Sequence, residues 1–360
     1  MFVTAGGITG VHAAASVVVI SDSIVSQNAN GVFVDGGLVT IVQSVIVANG
    51  GANVEGHGVI NAGVTEIRSS VIDSNEGVGV FNEVGEATVA ESSVIANARG
   101  GVVNFGLGGP DTTIIDSTIA ENGFDITSLY GGVHAVHGTM SLRRVTITGN
   151  GNTIDPTLAA SAPGFIEADF ITIDDNLGNV DVFGEVSLRS SIAVTCHATV
   201  IDRGYNAGGC FGTAAAGLEP LADNGCLVST PQGCPATFVP TPQSAALGRA
   251  DCSEDVAQRD QTGALRSPLG EGCEAGAVDR ADYTPAPRGD VNCDDVVNII
   301  DALVMAQFSV GNRSDQGHCP VNPIDGVNPA AGDMNRDAKV DIIDALIVAQ
   351  CDAGIANPFC

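Results

Sequence analysis

The sequence predicts a mainly β protein whose larger part is a parallel β-helix solenoid, and three observations predict it. Asparagine recurs at Asn28, Asn49, Asn75, Asn97, Asn122, Asn150 and Asn176, at intervals of 21 to 28 residues, the scale of stacked repeats. A β-branched aliphatic residue stands three positions before each asparagine: Val25, Ile46, Ile72, Val94, Ile119, Ile147 and Ile173. Glycine is abundant at 46 of 360 residues, whereas tryptophan is absent and tyrosine occurs three times.

Two further columns fill in the coil. Eight positions before the asparagines lie Ile20, Ile41, Ile67, Val89, Ile114, Leu142 and, as the weak member, Ala168. Five before lie Ser23, Ser44, Ser70, Ser92 and Ser117, then Val145 and Ile171. Side chains alternate across a strand, so positions −5 and −3 point inward together. The asparagine marks the turn, and its amide reads as one rung of a structural ladder between coils. Glycine-rich links such as GVFVDGG, GVGVFNEVG and GGVVNFGLGG then lead into a second short apolar run. A helix would need apolar residues three and four apart, and each glycine would cost it about 1 kcal/mol.

The segments SDSIVSQN, QSVIVANG, RSSVIDSN, ESSVIANA and DSTIAENG resemble right-handed parallel β-helix repeats of the pectate-lyase-like class, over roughly residues 16–195. That resemblance implies the architecture, and its scaffold hosts lyases, hydrolases, adhesins and spacers alike. A lyase on this rod would need carboxylates and a basic residue gathered on one face. Arg68, Arg99, Arg143, Arg144 and Arg189 are the basic residues available, and Arg68 and Arg143 share position −7 with Ala90 and Ile115 between them. Asp174-Asp175 and Gly56-His57-Gly58 resemble fragments of polygalacturonase-type hydrolases, in reversed order. His134 and His137 are three apart, which puts them on opposite faces of a strand. No catalytic residue is assigned; a polysaccharide lyase or glycoside hydrolase on a pectin-type substrate is the enzymatic alternative.

Composition bounds the rest. Fourteen Lys and Arg against 42 Asp and Glu give −28, and Lys339 is the one lysine, which argues against nucleic acid and anionic membrane surfaces as partners. No stretch of about 18 apolar residues suggests a membrane span. All ten cysteines follow residue 195, as in chains oxidised outside the cytoplasm, so a secreted or surface location is expected. The start of the chain lacks the basic residue of a signal peptide and enters the repeat almost at once, which suggests a missing N-terminal portion.

Residues 196–281 read as a disulfide-stapled irregular cap after the solenoid of residues 1–195. Sequential pairing of Cys196 with Cys210, Cys226 with Cys234 and Cys252 with Cys273 is the simplest of the fifteen connectivities, the others remaining open. The segments GYNAGGC, LEPLADNG, SAALGRADC and RDQTGALRSP resemble the tail of secreted β-helix proteins of the choice-of-anchor type. Residues 282–288, DYTPAPR, read as a semi-rigid linker.

Residues 289–360 carry a twelve-residue acidic spacing twice. Asp290, Asn292, Asp294, Val296, Asn298 and Asp301 occupy positions 1, 3, 5, 7, 9 and 12, and Asp333, Asn335, Asp337, Lys339, Asp341 and Asp344 repeat them 43 residues later. Oxygen side chains at alternate positions, a backbone carbonyl at 7 and a carboxylate at 12 suit Ca2+, so two ions are expected. Each loop runs into an amphipathic helix. GDVNCDDVVNIIDAL and GDMNRDAKVDIIDAL resemble the duplicated segments of a type I dockerin, a small all-α, EF-hand-like domain. The resemblance implies a cohesin-type partner met by Ile299, Ile300, Ala306 and Gln307, or equivalently by Ile342, Ile343, Ala349 and Gln350. The competing reading buries these isoleucines in the domain's own core. Asp295 and Ala338 stand where such loops carry glycine at position 6, and Cys293, Cys319, Cys351 and Cys360 could form two further disulfides of open pairing. An adhesin whose calcium loops only stiffen its tail is the third functional reading.

Overall fold

The computed structural model describes the chain apart from residues 1, 5–8, 52–54, 126–129, 152–155, 175, 177–181, 198, 214–216, 227, 251–258, 267–272, 281–288, 293–295, 316–325, 328–331, 333, 336–338, 356, 358 and 360. Asp175, Asp294, Asp333 and Asp337, the cysteines at 252, 293, 319 and 360, and the expected linker lie outside the described residues.

The solenoid has three walls of parallel strands. One wall is a nine-stranded sheet of short strands, from Phe2–Thr4 through Ile24–Ser26, Val45–Val47 and Val71–Asp73 to Ile192–Ala193. The other two are halves of a fifteen-stranded sheet, joined where the long strands Val32–Val42 and Val59–Arg68 run round a corner of the coil. Parallel pairing continues as far as Ile201–Asp202.

The columns of the sequence explain these walls. Position −3 is the middle residue of each short strand and points inward, fully buried from Val25 to Ile173. Position −8 fills the opposite side of the same core, including Ala168 and, one coil later, Leu188. Each buried isoleucine contributes on the order of 2 kcal/mol.

Closing so tight a coil requires left-handed backbone at both ends of the short strand. Asp22, Gln43, Ser69, Glu91, Asp116, Arg144, Phe170 and Ser190, all at one column, have φ between 46° and 56°. Gln27, Ala48, Ser74, Ala96 and Glu121, each just before an asparagine, have φ between 52° and 59°. Such a conformation costs a residue other than glycine about 1 to 2 kcal/mol.

Ladders offset that strain. Asn49 Nδ2 donates to Asn75 Oδ1 at 2.9 Å, Asn75 to Asn97 at 2.8 Å, Asn97 to Asn122 at 2.9 Å and Asn122 to Asn150 at 3.0 Å. Each of these oxygens also accepts the backbone N–H of the preceding asparagine. Ser44, Ser70, Ser92 and Ser117 accept the backbone N–H of the serine one coil earlier, at 3.1 Å throughout. A second amide ladder, Asn61 to Asn82 to Asn104, crosses the corner of the long strands. Gly58 sits under the first ladder because a Cβ there would stand 2.6 Å from Gly79 O and 2.9 Å from Asn75 Nδ2.

The cysteine-containing extension closes one end and then covers a flank. Val200, Phe211 and the Cys196–Cys210 disulfide pack against the end of the core. A hairpin-like excursion follows, bridged at Leu218 with Pro240 and at Ala222 with Thr237, and stapled by Cys226–Cys234. It reaches back along the nine-stranded sheet, where Gln43 Nε2 donates to Ser229 O at 2.8 Å.

The outward residues of that sheet receive it. Thr118, Thr146 and Thr172 stand in register on successive strands. Thr118 Oγ1 donates to Ala236 O at 2.6 Å, Thr146 Oγ1 donates to Gln261 Oε1 at 2.7 Å, and Thr172 Oγ1 accepts Ala277 N–H at 2.9 Å. Gly276 lies so close that a Cβ would meet Ile192 and Thr172 Oγ1 at 2.7 Å. Cys273 is also disulfide-bonded.

Beneath this strap, Arg266 is buried and stacks over Phe170 at 4.4 Å. Its guanidinium donates to the carbonyls of Glu274, Gly276 and Ala277 and pairs with Asp279.

The second unit is a helix pair, α1 (Ile299–Ser309) and α2 (Ile342–Asp352). Val291, Ala302, Val304 and Met305 pack with Met334, Ala345, Ile347 and Val348 as its core. Among the described residues no helix is long and apolar enough to cross a membrane.

Candidate metal centre and docking faces

The two acidic loops fold alike because their last carboxylates tie each loop shut. Asp301 Oδ1 accepts Val291 N–H at 3.0 Å and Asn292 N–H at 3.3 Å, while Oδ2 accepts Asn298 N–H at 2.9 Å. Asp344 repeats this with Met334 at 2.9 Å, Asn335 at 3.2 Å and Asp341 at 2.9 Å. Position 12 is thereby held against positions 2, 3 and 9.

Position 9 caps the helix that follows. Asn298 Oδ1 accepts Ile300 N–H and Asp341 Oδ1 accepts Ile343 N–H, each at 2.7 Å. With Asp301 and Asp344 answering from the third helical position, both helices start in a capping box. At position 7, the Val296 carbonyl accepts Asn298 Nδ2 at 3.2 Å.

The electrostatics of these loops suit a hard cation. Asp290, Asp301 and Asp344 are fully buried. Burial pushes the carboxyl groups of Asp301 and Asp344 above the usual range, the backbone N–H donors pull them back, and the neighbouring charge of Asp290 or Asp341 pushes them up again. A divalent ion among these oxygens would relieve both the burial and the repulsion, so the donor set fits Ca2+. Among the described residues no three His, Cys, Asp or Glu side chains form a metal cluster; three of the expected carboxylates lie outside those residues.

The helix faces carry the sequence-expected contact residues outward. Ile299, Ile300 and Leu303 are 54%, 52% and 54% exposed, and Ile342, Ile343 and Leu346 are 57%, 50% and 53% exposed. The isoleucines therefore do not fill the core, which Ala302, Met305, Ala345 and Val348 occupy instead. Ala306 and Ala349 pack at the core's margin. Gln307 Oε1 accepts Arg313 Nε and Gln350 Oε1 accepts Asn357 Nδ2, both at 2.6 Å. Leu303 and Leu346 were absent from the sequence expectation, although their spacing of four from Ile299 and Ile342 signals them. Cys351 on α2 is disulfide-bonded.

On the solenoid the histidines have structural partners. His57 is buried, accepts Val78 N–H at Nδ1 over 3.0 Å, contacts Glu55 at 2.9 Å and stacks on Phe81. Burial outweighs Glu55 and lowers its pKa. His134 meets Ser161 Oγ at 3.0 Å, and His137 meets Phe105 O at 2.7 Å.

One charged cluster escaped the sequence reading. In the −7 column Arg143 pairs in register with Asp169, and Asp169 with Arg189. Arg203 reaches over the same place to Glu167 at 2.6 Å and to Asp169. Burial raises the Asp169 carboxyl and Arg203 opposes it. The signal was present, since Asp169 stands seven before Asn176 as Arg143 does before Asn150.

Residues 288–351 match the family model described as Dockerin type I domain. The crystal structure of pectate lyase Pel9A is similar to the chain at a TM-score of 0.45 and 16% identity, over 76% of this chain and 69% of that chain. No curated protein matches the chain.

Proposed function

We propose that this protein is tethered outside the cell through the type I dockerin domain matched at residues 288–351, which docks on a cohesin-type partner in a calcium-dependent way, with the solenoid as the body it carries. The observation that carries this reading is the pair of half-exposed apolar faces, Ile299, Ile300 and Leu303 on α1 and Ile342, Ile343 and Leu346 on α2. A small domain gains nothing by leaving six large aliphatic side chains in water unless a partner covers them.

Two calcium ions would hold these faces in place. Asp290, Asn292, Asp294, Asn298 and Asp301 with the Val296 carbonyl would bind one, and Asp333, Asn335, Asp337, Asp341 and Asp344 with the Lys339 carbonyl the other. The ions would supply positive charge where the loops bury negative charge, and so lock the start of each helix. In this reading residues 1–195 are the solenoid, 196–281 its stapled extension, 282–288 a linker and 289–360 the docking module.

The test is binding of the full chain to a type I cohesin domain by surface plasmon resonance, with calcium and with EGTA. Binding in calcium that is lost in EGTA, and weakened at least ~100-fold when Ile299, Ile300, Ile342 and Ile343 are all changed to serine, is expected. Binding that ignores both treatments sinks the proposal.

A second reading rests on the cluster of Arg143, Arg189 and Arg203 with Asp169 and Glu167, which gathers charged groups of both signs on one wall of the solenoid. It is that the solenoid degrades an acidic, pectin-type polysaccharide there. Product release from polygalacturonate that vanishes in Asp169→Asn would favour it, and inert protein would remove it.

A further inference from the structure

We infer that His57 is an acid-sensitive rung of the solenoid: as pH falls below neutrality its imidazole stops accepting the Val78 N–H, and the start of strand Val59–Arg68 parts from the start of Val78–Asn82. The inference concerns the solenoid alone and is independent of the docking reading.

The rung belongs to a short ladder of its own. Gly31 N–H donates to His57 O at 3.0 Å and Gly58 N–H to Val78 O at 3.0 Å, which sets Asn30, His57 and Val78 at one level of three successive coils. His57 N–H donates to Asn30 Oδ1, and Val78 N–H donates to His57 Nδ1, each at 3.0 Å. An imidazole nitrogen thus takes in one coil the part that an amide oxygen takes in the coil before. The asparagine and serine ladders contain no group that gains a proton between pH 5 and 8, whereas a histidine does.

The bond fixes the state of the ring. A nitrogen that accepts an N–H carries no hydrogen of its own, so Nε2 holds the ring's one hydrogen and donates it to Glu55 at 2.9 Å. The imidazole is therefore neutral. A further proton places a hydrogen on Nδ1 opposite the Val78 N–H, and two donors then face each other. His57 is 5% exposed and Val78 1%, so water replaces the lost acceptor only when the strands separate.

The charges around the ring set how readily this happens. Glu55 is on its own segment, Glu76 stands beside Gly56 from the next coil, and Arg99, paired with Asp125, lies one coil further. Tyr130 lies beyond, in the field of Glu55, and residues 52–54 carry no ionisable group. Burial holds the imidazole pKa below its ordinary 6.5, Glu55 opposes it and Arg99 assists. The opened coil therefore binds the proton more tightly than the closed one. Closure is whole above about pH 6.5 and weakens as pH falls below it. Phe81, stacked on the ring at 4.8 Å, gains a cation–π contact with the charged form and keeps the ring in place while the rung is lost.

The test is hydrogen exchange of the full chain at pH 7 and pH 5, with rates corrected for the intrinsic effect of pH. The Asn97 amide, which donates to Asn122 Oδ1, is the neutral reference. Protection of the Val78 amide is expected to fall on the order of 10-fold against that reference, the weight of one hydrogen bond. His57→Asn installs the side chain that Asn30 already uses one coil earlier, and should abolish the fall. No fall in the unsubstituted chain, or the same fall in His57→Asn, overturns the inference. An NMR titration of the imidazole in the unsubstituted chain guards against a variant that does not fold: a midpoint below 6.5 is expected, and one at or above 6.5 overturns the inference by itself.

Discussion

The solenoid and the docking module each hold the chain through turns that bury polar groups, and they do so with different chemistry. In the solenoid the closing groups are neutral: an asparagine or serine oxygen accepts from the coil before it, and the donor in turn belongs to the same column. In the docking module the closing groups are buried carboxylates, Asp301 and Asp344, each accepting three backbone N–H donors while facing further acidic residues. A neutral ladder gains strength one coil at a time and is indifferent to ions. A carboxylate closure gathers like charge, which a bound cation would neutralise.

Chelation should separate the two most sharply. A site filled at a thousand times its Kd adds about 4 kcal/mol to the folded state. Thermal melts in EGTA are expected to lose the helical signal of residues 299–352 first while the β signal of the solenoid stays in place. Equal shifts in both would mean that the solenoid also depends on calcium.

Within the solenoid, Asn97→Ala is expected to cost about 3 kcal/mol, because the backbone N–H and side-chain amide of Asn75 lose their acceptor and the Asn122 oxygen loses a donor. Urea midpoints with and without calcium should show the same loss, and a calcium-dependent loss would break the distinction.

A smaller effect is expected where the extension meets the flank. Thr146→Val keeps the shape of the side chain but leaves Gln261 Oε1 without its donor, costing about 1 to 2 kcal/mol. Proteolysis of residues 218–279 should quicken while the solenoid resists.

A different kind of effect, a slope with pH, is expected at the same strap. Glu274 is buried beside Asp279, and burial first, then the neighbouring carboxylate, raises its pKa from 4.5 to about 9. The side-chain hydrogen bond that Glu274 shares with Asp279 raises it further. The folded state holds that proton where the unfolded chain releases it, so the stability it contributes is whole below about pH 4.5, falls as pH rises and is gone above about 9. Glu274→Gln should flatten this decline, measured as denaturation midpoints between pH 5 and pH 9.

Much of this was legible in the sequence because both units repeat. The Asn, Ser, −3 and −8 columns map directly onto ladder and core, and the loop positions onto the capping boxes at Asn298 and Asp341. The left-handed residues were not legible: Gln, Ala, Ser, Asp, Glu, Arg and Phe occupy them, and only the closure of the coil forces the conformation. Thr118, Thr146 and Thr172 form a visible column, but their partners Ala236, Gln261 and Ala277 follow no period, so nothing local joined them. The exposure of Ile299 and Ile342 was also beyond periodicity, which identifies an apolar helix without saying which of its residues the partner helix takes. Cys226–Cys234 and Cys196–Cys210 follow the sequential order because each pair spans a short excursion.

The strap along the nine-stranded sheet has a mechanical consequence. Any pull on the helix pair enters the rest of the protein through residues 259–279, which are bonded sideways to Thr118, Thr146 and Thr172 on successive strands and to Ser190 just before the next one. Tension is therefore shared as shear across several coils at once, where a chain leaving directly from the last coil would be unwound one strand at a time.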